Sequence, residues 1–184
     1  MPDIRVSIYE DNTGLREVIS NIIANTTGFE LVGAYSNCLD IIANTRINLP
    51  DVILMDIDMP GKTGIEGVQE IKPLFPKVEV IMNTVFEDDD WLFKALQAGA
   101  TGYLLKKSSL SALLESIKEV YSGGAPMSPV IARKVLRLPF ADGKSNAEIN
   151  NLSDREIEIL KLLSKGLSYK MVAAELFISI DTVR

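Results

Sequence analysis

The chain has 184 residues, of which 47% are hydrophobic and 24% charged, with a formal net charge of −6. That length suits one large or two small domains, and the apolar content supports a real core. The absence of histidine and the single cysteine, Cys38, exclude Ser–His and Cys–His catalysis, histidine-based zinc sites and an internal disulfide.

No apolar run is long enough to span a bilayer, and no basic-then-apolar leader opens the chain, so the expected compartment is the cytoplasm. Charge is unevenly spread. Residues 1–124 hold 18 acidic and 10 basic side chains, a net of −8; residues 125–184 hold 7 and 9, a net of +2. An acidic first part and a mildly basic second part point to different partners.

Ile4–Tyr9 reads as the first strand. Thr13 is expected to cap a helix whose apolar face is Leu15, Val18, Ile19, Ile22 and Ile23. A second strand covers Phe29–Ala34, and Leu39, Ile41, Ile42 and Ile47 mark a second helix closed by Leu49-Pro50. Cys38, beside Leu39, reads as a buried small hydrophobe. Val52–Met55 is an unbroken apolar run with the length and branching of a strand buried on both faces. A third helix spans Gly64–Lys72 and stops at Pro73; a fourth strand spans Val78–Asn83. Helix four, Asp88–Ala98, has acids at its start, where the helix dipole favours them, and ends at Gly99. The fifth strand ends at Leu105, and a fifth helix opens at Ser108 or Ser109 and closes at Gly123-Gly124.

Strands alternating with helices imply an α/β, doubly wound, five-stranded parallel sheet covered on both faces. Periodicity alone does not fix its strand order. Residues 125–151 break the pattern: a short helix begins at Ser128-Pro129, and Asp142-Gly-Lys-Ser-Asn146 reads as a linker. From Leu152 the chain turns helical. Ser153 and Glu156 form a capping box, Gly166 stops that helix, and Ser168 caps a second one over Tyr169–Leu176. A turn at Ile178–Asp181 leads into Thr182-Val183-Arg184, which begins another helix. This is the arrangement of a helix-turn-helix DNA reader, with a generic helical hairpin as the plain alternative. A reading helix needs about three turns at ~3.6 residues each, so the sequence is expected to be a fragment.

The chemistry gathers at strand ends. The first strand runs into Glu10-Asp11, the third into Asp56, the fourth into Thr84 and the fifth into Lys106. Ligands of open α/β sheets bind at those ends. Asp56 alone reads equally as a turn or capping residue. If the first and third strands are neighbours, Glu10, Asp11 and Asp56 converge, and their repulsion is relieved by a divalent cation. All-oxygen ligation with room for water and a phosphate oxygen suits Mg²⁺. Asp56 can then act as nucleophile toward a phosphoryl group, with Thr84 donating a hydrogen bond and Lys106 placing an ammonium on its oxygens.

The set Glu10-Asp11, Leu-Met-Asp56-Ile-Asp-Met-Pro-Gly, Thr84 and Gly-Ala-Thr-Gly-Tyr103-Leu-Leu-Lys106 resembles the receiver domain of two-component response regulators. Leu152-Ser-Asp-Arg-Glu-Ile-Glu-Ile-Leu, Gly166-Leu-Ser and Ile178-Ser-Ile-Asp-Thr-Val-Arg184 resemble the LuxR-type helix-turn-helix. Together they are similar to the NarL branch of DNA-binding regulators. The resemblance implies a flavodoxin-like receiver over residues 1–124 with strand order 2-1-3-4-5. It implies a linker over 125–151 and a small all-α DNA-binding domain over 152–184, truncated at the start of its recognition helix. It implies Asp56 as phosphoacceptor and a Mg²⁺ site of Glu10, Asp11 and Asp56 with the backbone carbonyl of Asp58. Thr84 and Tyr103 become the switch pair, and Lys106 the phosphate-binding lysine. Ser179, Thr182, Val183 and Arg184 are the expected DNA-binding residues. A histidine kinase is the implied phosphodonor, promoter DNA and RNA polymerase are further partners, and the phosphorylated form is expected to be a homodimer. No membrane partner and no turnover of a separate substrate are implied.

Three positions depart from the family pattern: Glu10 where Asp is frequent, Val85 where a small residue is frequent, and Lys107 where Pro is frequent. Two rivals are weighed. A phosphatase of the haloacid dehalogenase type also uses Asp-x-Asp, here Asp56-Ile-Asp58, but needs an acid pair after its lysine, whereas this pair lies upstream. The other is a receiver that never takes phosphate and serves as a docking module.

Overall fold

The structure is a computed structural model, described for residues 2–136 and for Val172, Glu175, Leu176 and Ile178. The chain divides into two compact units, Met1–Leu138 and Pro139–Arg184.

The first unit runs β1 (Ile4–Tyr9), α1 (Thr13–Ala24), β2 (Phe29–Tyr35), α2 (Ile41–Asn48), β3 (Val52–Met55), α3 (Gly64–Ile71), β4 (Glu79–Thr84), α4 (Asp89–Ala98), β5 (Gly102–Leu105), α5 (Leu110–Tyr121) and α6 (Pro129–Val135). The strands form one sheet in the order β2-β1-β3-β4-β5, every adjacent pair parallel. β1 therefore lies beside β3, and their carboxyl ends sit together at the point where the strand order reverses.

β3 shows why the apolar run is unbroken. Val52 and Leu54 pack with Ile19 and Ile23 of α1 and with Leu113 and Ile117 of α5. Ile53 and Met55 pack with Ile41, Val68, Ile71 and Leu92 of α2, α3 and α4. Successive side chains thus enter opposite cores, so both faces of the strand are apolar. In β2 the register slips: Val6 pairs with Leu31 but Ser7 with Gly33, leaving Val32 as an extra residue.

Several local expectations shift. Asn12, not Thr13, caps α1; its extended backbone lets the side chain accept from Leu15 N at 3.0 Å, and Thr13 becomes the first helical residue. Ser109 caps α5, and Thr63 with Glu66 forms a capping box on α3. Val18, Leu39 and Ile47, expected on buried faces, are exposed. α2 has only eight residues, and Ile41 and Thr45, four apart, take its sheet-facing side, so Ile47 is rotated away. Cys38 is buried, in the turn before α2, against the carbonyls of Lys62 and Thr63.

Part of the stretch expected as a linker is built into the first unit. Tyr103 N donates to Pro126 O at 3.0 Å, Met127 bridges to Tyr103, and Ile131 of α6 is fully buried in the Tyr103 face of the core. Lys134 holds Asp89 of α4 at 2.6 Å. In the second unit Val172 and Leu176 are buried, and Leu176 N donates to Val172 O in a helical i→i−4 bond. The expected capping box at Ser153, the cap at Ser168 and the DNA contacts Ser179, Thr182, Val183 and Arg184 lie outside the described residues. Among the described residues no helix is long and apolar enough to cross a membrane.

Leu49 closes α2 with a left-handed backbone, φ 43°, while its side chain is exposed. That conformation suits Asn and penalises branched side chains. In urea unfolding, Leu49→Asn is expected to raise stability by about 0.5 kcal/mol and Leu49→Val to lower it by about 1 kcal/mol.

Candidate functional site

The carboxyl ends of β1, β3, β4 and β5 bring Glu10, Asp56, Thr84 and Lys106 to one edge of the sheet. Glu10, Asp11 and Asp56 each offer a carboxylate oxygen within 4.8 Å of the others. Glu10 and Asp56 are buried at 2% and 4% exposure, whereas Asp11 opens to solvent. Asp58 is exposed, and its carboxylate lies outside this group; the expectation for it concerns its backbone carbonyl.

Lys106 lies between the two buried acids. Its Nζ is 2.8 Å from Glu10 Oε1 and 2.6 Å from Asp56 Oδ2. The other oxygen of Asp56 accepts from Ile57 N at 2.7 Å. Burial pushes the Glu10 carboxyl above its ordinary value; the Lys106 hydrogen bond opposes this, and the charge of Asp56 adds to the rise. Burial alone would lower the Lys106 ammonium, but the hydrogen bonds it donates to Asp56 and Glu10 outweigh it and hold it above 10.5. Glu10, one methylene longer than Asp, reaches this lysine directly.

Thr84 is fully buried, and its Oγ1 accepts from Phe86 N at 3.4 Å. Tyr103, also fully buried, donates its hydroxyl to Phe86 O at 3.0 Å. The two expected switch residues thus hold the two peptide groups that flank Phe86. Burial, then the charges of Asp88 and Asp56, raises the Tyr103 phenol, so it stays a donor. Val85 points into solvent, 67% exposed, next to Thr84. Lys107 pairs with Glu87 at the surface, 2.5 Å away.

Two residues that fix the backbone beneath the site escaped the sequence reading. Gly64, first in α3, backs directly onto Asp56: a Cβ there would lie 1.8 Å from Asp56 O. Gly64 N also donates to Ile57 O at 2.9 Å, so α3 clamps the loop that carries Asp56. A glycine directly after a capping threonine was the available signal. Arg16 is the other. Its Nη1 donates to Glu10 O at 2.6 Å and to Asp11 O at 3.2 Å. A cation in the first turn of a helix opposes the dipole, and that misplacement was legible.

The comparisons agree with this geometry. Residues 6–118 match the response regulator receiver domain, and residues 150–184 match the luxR family of bacterial regulatory proteins. An uncharacterized transcriptional regulatory protein of Bacillus subtilis (strain 168), YxjL, is 33% identical over 98% of this chain and 84% of its own length. The transcriptional regulatory protein DegU of Brevibacillus brevis is 32% identical over 98% and 83%. Among solved structures, the response regulator ChrA of a heme-sensing two-component system is 31% identical, with a TM-score of 0.62 over all of this chain and 86% of that one. The phosphatase alternative falls with these matches. Receiver fold, acidic edge and luxR-type segment occur in one chain in the order its relatives share, and the chain belongs to the DNA-binding response regulators of the NarL/LuxR type.

Proposed function

We propose that Asp56 is the phosphoacceptor of this regulator and that Glu10, Asp11 and Asp56, with the Asp58 carbonyl, hold Mg²⁺. The observation that carries the reading is Lys106, whose ammonium already spans Glu10 and Asp56. A cation on the acceptor carboxylate is placed to meet a phosphoryl oxygen as charge builds there. The donor set is all carboxylate, with Asp11 open to solvent, which fits a hard divalent ion that keeps some of its water. When bound, such an ion neutralises charge on the incoming phosphoryl group.

A carboxylate oxygen of Asp56 attacks phosphorus of the kinase phosphohistidine. The P–N bond breaks, and its electron pair stays on the imidazole nitrogen, leaving an aspartyl phosphate. Lys106 turns from the carboxylates toward a phosphoryl oxygen. Among the described residues the Thr84 hydroxyl oxygen accepts from Phe86 N, which leaves its proton to meet a second phosphoryl oxygen. Drawing Thr84 inward loosens Phe86 N–H, and the Tyr103 bond to Phe86 O loosens with it. This is the switch.

The division into a receiver, 1–124, a connecting stretch, 125–151, and a DNA-binding domain, 152–184, is part of the proposal, with α6 packed on the first unit. So are reading of promoter DNA through Ser179, Thr182, Val183 and Arg184, dimerisation on phosphorylation, contact with RNA polymerase, and a cytoplasmic setting. The intact acid–Lys–Thr set supports phosphotransfer over a docking role without phosphate.

Incubation with phosphoramidate and Mg²⁺ is expected to add one acid-labile phosphoryl group, seen by mass spectrometry. Chelation or Asp56→Asn is expected to abolish it; full labelling of Asp56→Asn would reassign the acceptor.

Lys106→Ala leaves Glu10 and Asp56 facing each other without a cation. Glu10, already raised by burial, then loses the bond that opposed the rise. Its folded-state pKa lies above the ordinary 4.5, so the penalty is present at neutral pH and vanishes as pH falls through that window. Urea unfolding is expected to show a deficit of about 3 kcal/mol at neutral pH. The deficit should shrink as pH falls toward the ordinary carboxylate range, and millimolar Mg²⁺ should offset part of it at neutral pH.

A further inference from the structure

In an extended strand, neighbouring side chains point to opposite faces. Glu10 and Asp11 are neighbours, yet their carboxylates meet at one place together with Asp56. The chain must therefore leave the extended form where β1 ends, and something must hold that turn. Arg16 supplies the hold. Its Nη1 binds two successive carbonyl oxygens, Glu10 O at 2.6 Å and Asp11 O at 3.2 Å, and its Nη2 reaches Thr13 Oγ1 at 3.4 Å. Two consecutive carbonyls aimed at one donor fix the backbone torsion between them, and with it the directions of both side chains.

The choice of partner matters as much as the bond. Arg16 is a cation beside an acidic pair, and its bonds described here go to carbonyls and a hydroxyl, not to carboxylates. A guanidinium that bridged the carboxylates would compete with a metal ion for the same oxygens. Bound to the backbone, it lowers the repulsion of the pair and leaves Asp11 accessible. The half-buried position and the forked donor set suit arginine better than lysine.

We infer that Arg16 is a positioning residue for the divalent-cation site, holding Glu10 and Asp11 in register for the ion without touching it. This rests on the proposed Mg²⁺ site. Groups that orient a metal's carboxylate ligands act on affinity, typically by about 10–100-fold.

The test is calorimetric titration of the full chain with Mg²⁺ alone, alongside the rate of phosphorylation by phosphoramidate over the same Mg²⁺ range. Arg16→Ala is expected to raise the half-saturating Mg²⁺ concentration about tenfold while leaving the rate at saturating Mg²⁺ within about twofold of wild type. Arg16→Lys, which keeps the charge but not the fork, is expected to fall between. If Arg16→Ala does not fold, Arg16→Lys decides the matter by the same shift. Unchanged half-saturation in both variants would overturn the inference, as would a rate loss equal at every Mg²⁺ concentration, which marks a merely structural role. If wild type itself takes up no Mg²⁺, the metal reading fails and takes this inference with it.

Discussion

Like charges collected at one edge of a sheet must be neutralised for the sheet to close. The parallel order β2-β1-β3-β4-β5 puts β1 beside β3, so Glu10 and Asp56 are buried within reach of each other. Lys106, 96 residues beyond Glu10 in sequence, makes that tolerable by spanning both. The ammonium ties the last strand to the first across β3 and β4. Much of the local architecture serves the same contact. Asp56 N is held by Tyr9 O, Gly64 backs onto Asp56 O, and Lys106 N is held by Thr84 O. Each of these contacts fixes the backbone from which one charged group projects.

That dependence links stability to signalling chemistry. The cation that neutralises Glu10 and Asp56 is, under the proposed phosphotransfer, also the one that meets the phosphoryl group. Glu10, Asp56 and Lys106 form a closed ion cluster at that edge. Phe86 carries the next link, because its N–H and C=O answer to Thr84 and Tyr103 separately. The two peptide groups that flank Phe86 thus stand between Thr84 at the site's edge and the buried Tyr103 ring.

The sheet was legible because its signals are periodic. β3 announces itself by four successive apolar residues, each buried, and the strand-end residues Glu10, Asp11, Asp56, Thr84 and Lys106 follow directly from the strand assignments. The strand order came from family resemblance, since alternation says which faces are buried but not which strands adjoin. Leu39 and Ile47 misled because hydrophobicity at helical spacing does not say where a two-turn helix begins. Gly64 and Arg16 were missed for a different reason. Their roles are directed at backbone atoms, Asp56 O and the carbonyls of Glu10 and Asp11. No side-chain pattern records a carbonyl's direction.

The extra residue at Val32 in β2 and the strand-like run of Pro126 and Met127 along β5 have a shared effect. β2 and β5 are the two margins of the sheet. A margin with unsatisfied peptide groups is a template on which another chain can polymerise. At β5, Tyr103 N already donates to Pro126 O, and proline brings no N–H of its own to offer outward. At β2, the irregularity at Val32 breaks the even spacing that a continuing ladder requires. Both margins of the sheet thus carry a feature that blunts fibre-like growth through shared backbone.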